Sequence, residues 1–155
     1  MKHRILGAAL ILACLNLAWG QEVTVSKPWV RGSVAGQNAT GAFMDVLASQ
    51  DSSLVGASSP LAKSVEIHEM AMEGDVMRMR AVKRVALPAG KAVEFKPGGY
   101  HIMLIGLTKP LQKGETVPIE LFLRGKDQKL SRLRVNAEVR ELGAAAVMEG
   151  HDHHH

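Results

Sequence analysis

Two triplets frame the chemistry of this chain: His68-Glu69-Met70 and His101-Ile102-Met103. Between residues 4 and 150 these are the only histidines, and each has a methionine two positions on. Five of the eight methionines (Met70, Met72, Met77, Met79 and Met103) fall between His68 and Met103. Imidazole nitrogen serves copper, zinc, nickel and iron alike, whereas thioether sulfur is a soft, neutral donor suited to Cu(I). Zinc sites draw on Cys, His and carboxylates, and methionine is not among their ordinary ligands. Two imidazoles with two thioethers therefore predict a monovalent copper site, and uncharged ligands favour the lower oxidation state further. Without a thiolate, binding is expected to be tight but reversible, which suits a carrier. A lone methionine on a strand ordinarily packs a core, and Met44 is read that way. Met70, Met72 and Met77 read equally well as packing or as spare donors.

Strands must position these residues. Period-2 alternation and β-branched runs dominate, with turn signals at regular intervals. Expected strands are 22–25 continuing through 28–30 past a break, 41–47, 64–70, 76–80, 92–95, 101–107, 117–124 and 130–139. The stretch 64–80 reads as a hairpin turning at Glu73-Gly74-Asp75, and 82–87 either extends it or starts another strand. Residues at i and i+2 of a strand share a side. His68 is thus aimed with Met70, Met77 with Met79, and His101 with Met103, while Ile67, Ile102 and Leu104 face a core. Pro97-Gly98-Gly99 turns the chain just before His101. The pattern predicts an all-β fold, a Greek-key β-barrel or sandwich, with no convincing helix. A short helix could start only at Ala144-Ala145-Ala146, in the tail.

The chain has 155 residues, expected to divide into a signal peptide at 1–20, one domain at 21–142 and a flexible tail at 143–155. Met1 to Arg4 is basic, Ile5 to Leu17 is apolar apart from Asn16, and Ala18-Trp19-Gly20 offers a cleavage site. Export to the periplasm is expected, with no membrane span in the mature form. The only cysteine, Cys14, lies inside the signal. The stretch Ile11-Leu12-Ala13-Cys14 resembles a lipoprotein cleavage box, but the bulky Leu12 and the apolar residues after Cys14 argue against that use. A mature chain without cysteine excludes disulfide scaffolds, thiol redox chemistry and a blue copper centre. The formal charge is +4 and the aromatic content is 4%. Spread basic residues and few stacking side chains argue against nucleic-acid binding.

His68, ten residues, Met79, twenty-one residues, His101, one residue and Met103 make up one spaced motif. By this motif the chain resembles the periplasmic PCu(A)C copper chaperones. The resemblance is supported by Val65-Glu66-Ile67-His68-Glu69, Met77-Arg78-Met79-Arg80, Leu87-Pro88-Ala89-Gly90 and Lys96 to Leu104, and runs from about Val23 to Val139. It implies a cupredoxin-like β-barrel holding one Cu(I) through His68, Met79, His101 and Met103. It also implies delivery of copper to the CuA centre of cytochrome c oxidase, directly or with a Sco-type protein. Met70 stands outside this set as a possible auxiliary or exchange ligand. The chain is expected to act as a monomer.

The C-terminal segment Met148-Glu149-Gly150-His151-Asp152-His153-His154-His155 offers a second group of donors. A purification tag is the plain explanation, but Asp152 interrupts the run. A native extension that gathers metal is therefore preferred. His151, His153, His154 and His155 would take up Cu(II) and pass it inward after reduction. Glu66 and Glu69 flank His68; they read either as acceptors orienting its ring or, more plainly, as solvated strand-edge charges. Competing readings of the whole are copper sequestration for tolerance and a metal-free β-sandwich interaction module. An enzyme is not expected: no Ser or Cys nucleophile has a recognisable setting, and four protein ligands leave no open position.

Overall fold

Alternating apolar residues build ten strands in a computed structural model that describes residues 22–141. The signal segment 1–20, Cys14 within it, Ala144 to Ala146 and the histidines of the tail lie outside the described residues. The strands are β1 (Val23–Arg31), β2 (Ala39–Ala48), β3 (Ser52–Ser58), β4 (Ala62–Glu73) and β5 (Val76–Val82). They continue as β6 (Val85–Leu87), β7 (Ala92–Phe95), β8 (His101–Leu107), β9 (Thr116–Gly125) and β10 (Leu130–Arg140). No helix occurs among the described residues. The all-β expectation and the 64–80 hairpin are thus observed.

The strands form one sheet in the order β5-β4-β8-β2-β1-β10-β9-β3-β6, with β7 also pairing with β2. Its two end strands, β5 and β6, are separated in the chain only by Lys83 and Arg84. So short a link between the ends means that the sheet has curled round on itself. Neighbours such as β8 and β2, or β1 and β10, are far apart in sequence, giving the interleaved order expected of a Greek key. The β1–β10 pair is parallel; the other ladders are antiparallel.

Inside the curl lie Val30, Val46, Leu54, Leu87, Ile102, Leu104, Val117, Ile119, Leu121 and Val139, all fully buried. Met44 is buried among them, as packing. The break expected in β1 is a bulge between Ser26 and Trp29, with Lys27 at φ 50°. The inserted residue changes the phase, so that Val23 and Val30 both face the core. Trp29 then points to the other side and packs on Phe43, its partner across the ladder, with ring centroids 4.6 Å apart.

The sequence reading did not assign β3. Its ladder to β9 carries a bulge between Leu54 and Gly56, which breaks strict alternation. Gly56 lies against Phe122, where a Cβ would come within 3.1 Å of the ring. Serine and glycine content hides a strand whose Leu54 and Ala57 are both buried.

Candidate metal centre

On β8 the alternation separates core from site. Ile102 and Leu104 are fully buried inward, which sends His101 and Met103 to the opposite face. His101 is the direct cross-strand partner of His68 on β4, and their rings stand edge to face with centroids 5.6 Å apart. Met103 lies opposite Glu66 of β4 and Gly41 of β2. Gly41 is needed there, because a Cβ would stand 2.8 Å from the Phe43 ring. Met79 arrives from β5, opposite Met70.

Three of the four expected donors, Met79, His101 and Met103, line one surface depression with Met70, Arg31 and Phe43. His68 does not line it, but sits beside His101 with its side chain only 12% exposed. The closest donor contact is His101 Nε2 to Met79 Sδ, at 2.9 Å. Burial differs across that contact: His101 is 6% exposed and Met79 50%. One donor is therefore fixed in the protein and the other stands at the solvent edge.

Hydrogen bonds decide which ring nitrogens are free. His101 Nδ1–H donates to the Gly99 carbonyl at 3.0 Å, and a carbonyl can only accept. A neutral His101 thus presents a bare Nε2 to the Met79 sulfur. His68 Nε2–H donates to the Glu66 carboxylate at 2.8 Å. In the neutral ring its Nδ1 is then bare, and it is buried with no partner. Metal-binding histidines characteristically donate their other ring N–H to a carboxylate or a backbone carbonyl. Both histidines here are held in that way, with one lone pair each left unused.

Electrostatics keep His101 ready to bind. Burial pushes its pKa below the ordinary 6.5; the Gly99 hydrogen bond opposes this, while His68 and Arg31 push in the same direction. The imidazole therefore stays neutral at neutral pH. Among the described residues no three His, Cys, Asp or Glu side chains are grouped as a metal site. The donors beside the two imidazoles are instead thioethers, with Met79 in contact with His101 and Met70 and Met103 in the same depression. The donor set of two bare imidazole nitrogens and nearby thioethers suits a soft monovalent ion.

Glu66 and Glu69 turn out to be different. Glu66 shares the side of His68 and orients its ring, whereas Glu69 faces the other way and pairs with Arg80 at 2.7 Å. Solvated charge was the plainer reading for both; the Glu66 side chain is indeed half-exposed but also holds the His68 ring, whereas Glu69 is the more covered of the two and is tied up in its ion pair. Arg78 and Arg80 are exposed, as expected. Sequence reasoning missed Arg31 and Phe43. The Arg31 guanidinium lies 5.5 Å over the Phe43 ring, and that ring is 6.4 Å from His101. No local motif marks these residues, because β1 and β2 bring them to the site from far away in sequence.

Comparison with known proteins bears on this architecture. The family model described as "Putative lipoprotein LpqE-like" matches residues 23–137. The putative lipoprotein Lxx21020 of Leifsonia xyli subsp. xyli is 39% identical over 102 residues, covering 64% of this chain and 60% of that protein. The uncharacterized protein RP573 of Rickettsia prowazekii is 29% identical over 115 residues, covering 70% of this chain and 64% of that one. The chain thus spans less than two thirds of the length of either relative. Among solved structures, apo-DR1885 from Deinococcus radiodurans is 30% identical, with a TM-score of 0.57, over 91% of this chain and 94% of that one. The copper-bound PCuAC domain from PmoF2 has a TM-score of 0.63 at 21% identity, covering 77% of this chain and 93% of that one, and shows the likeness of fold alone. The matched span takes in all ten strands but for the end of β10, and with it both histidine triplets, so the chain belongs to the LpqE-like family, of PCu(A)C type, and has the cupredoxin-like β fold of its structural neighbours.

Proposed function

We propose that this protein is an exported copper chaperone that carries Cu(I) on His68, Met79, His101 and Met103. One observation carries the reading: His101, locked through Nδ1–H, presents a bare Nε2 to the Met79 thioether, and His68, locked through Glu66, stands beside it with ring centroids 5.6 Å apart. The Deinococcus radiodurans relative, 30% identical to this chain, has also been determined as CuI-DR1885, which supports copper as the cargo. Four protein donors leave no open position on the metal, so the protein is a carrier rather than an enzyme. Neutral ligands and a solvent-edge Met79 favour release by ligand exchange.

The recipient in this proposal is the CuA centre of cytochrome c oxidase, reached directly or with a Sco-type thiol protein, and the carrier acts as a monomer. Mixing the Cu(I)-loaded protein with an apo CuA domain tests this. Copper is expected to move to the CuA domain; retention of the copper by the carrier would leave sequestration as the function. In the same protein His101→Ala and Met103→Ala are expected to weaken Cu(I) binding, read by competition with a chelator. Unchanged affinity would remove the site assignment.

Export rests on the N-terminal segment and on the lipoprotein names of the family and its Leifsonia relative. No helix among the described residues is long and apolar enough to cross a membrane. Intact mass of the exported protein discriminates the two modes of processing: a chain beginning at Gln21 supports cleavage after Gly20, and a lipid-modified Cys14 would overturn it. In the proposed scheme the tail histidines His151, His153, His154 and His155 collect Cu(II), which reaches the core site after reduction.

A further inference from the structure

The β4–β5 hairpin runs past the rest of the sheet. Pairing of β4 with β8 stops at His68 and His101, whereas pairing of β4 with β5 continues to Glu73 and Val76. Residues 69–80 thus form a two-stranded ribbon beyond the site. Met70 lies opposite Met79, and Met72 opposite Met77. Directly opposed residues share a face, as do residues two apart on one strand. All four thioethers therefore stand on one face of the ribbon, in two rungs, the same face that carries His68. The rungs are roughly 7 Å apart, a gap that long, flexible methionine side chains can bridge.

The other face of the ribbon is charged and self-neutralised. Glu73 pairs with Arg78 at 2.9 Å and Glu69 with Arg80 at 2.7 Å. The thioether face has no such partners, and its outer rung is open to solvent: Met72 is 60% exposed and Met77 49%. Packing does not account for side chains so exposed at the tip of an edge hairpin. The inner rung leads directly to the site, because Met79 Sδ touches His101 Nε2 and Met70 lines the same depression.

We propose that Met72 and Met77 form an outer Cu(I) port, from which the ion passes along the rung of Met70 and Met79 to the two histidines. This rests on the reading of His68, Met79, His101 and Met103 as the Cu(I) site. Each step is a ligand exchange: a Cu–S bond to the outer rung breaks as a Cu–S bond to the inner rung forms. The ion stays Cu(I) throughout, and no electron or proton is transferred. Neutral thioethers suit such hand-over, since they bind soft ions without adding charge. A chelated ion then never has to reach the largely buried histidines in one move.

The test uses the mature protein and its Met72→Leu/Met77→Leu variant, a volume-conserving change at exposed positions that leaves the fold intact. Cu(I) is supplied as its bicinchoninate complex. The variant is expected to take up copper about tenfold more slowly, as for one exchange barrier raised, with unchanged equilibrium affinity. In wild-type protein already carrying one Cu(I), a second equivalent of Ag(I), a redox-inert soft ion, is expected to shift the methyl resonances of Met72 and Met77. Unchanged uptake together with unmoved methyls would overturn the port. A defect confined to exchange with a protein donor or acceptor, and absent with the chelate, would also overturn it and make the tip a docking surface. Met79→Leu examines the underlying site separately: it weakens equilibrium affinity if the four-donor reading holds, and leaves it unchanged if that reading fails, whatever happens at the tip.

Discussion

At the scale of residues, Glu66 shows how much depends on parity along a strand. It sits two positions before His68, on the same side, and its carboxylate accepts a hydrogen bond from Nε2–H at 2.8 Å. Glu66→Gln keeps the shape but removes the charge that holds the ring. Cu(I) affinity is expected to fall about 10-fold to 100-fold, the range for such supporting partners, read by chelator competition. His101 makes a prediction about pH. Its folded pKa is lowered, so the unfolded chain binds the extra proton first as pH falls. Its contribution to stability is complete above the ordinary value of 6.5 and declines as pH drops from there through the lowered folded pKa. Denaturant unfolding of the copper-free protein should show this slope, and His101→Phe should flatten it. The side that Glu66 shares with His68 was legible from spacing alone. Which nitrogen of each ring is free was not, because that depends on Gly99 and on the direction in which each ring is turned.

Among the elements, β8 carries the division of labour, with Ile102 and Leu104 in the core and His101 and Met103 on the site face. That alternation was readable, as was the hairpin that brings Met79 back toward His101. Strand β3 was not, because the bulge before Gly56 breaks the period that reveals a strand. The aromatic support beneath the site was equally hidden. Trp29, Phe43 and Arg31 come from β1 and β2, and only the ladder register puts Phe43 beside His101. Gly41 makes this support testable. Gly41→Ala would push a methyl into the Phe43 ring, and overpacking of this kind costs about 1–3 kcal/mol. Thermal unfolding should record that loss, and Cu(I) affinity should fall with it, since Phe43 shares the depression with His101 and Met103.

For the whole molecule, the curled sheet separates stability from cargo. The core lies inside, and the donors lie on the outer face of β4, β5 and β8. Leu121→Ala, deep in β9, should cost about 2–5 kcal/mol in denaturant unfolding yet leave Cu(I) affinity unchanged where the variant is folded. Bound Cu(I) should in turn raise the unfolding temperature of both proteins through mass action. The central claim is a two-nitrogen, two-sulfur Cu(I) site on the outer face of the β-domain, built without the tail. X-ray absorption of the copper-loaded mature protein, with and without residues 148–155, measures it most directly. Nitrogen and sulfur scatterers in equal numbers, unchanged by removal of the tail, are the predicted result. Nitrogen and oxygen scattering alone, or sulfur scattering that changes when the tail is removed, would contradict it.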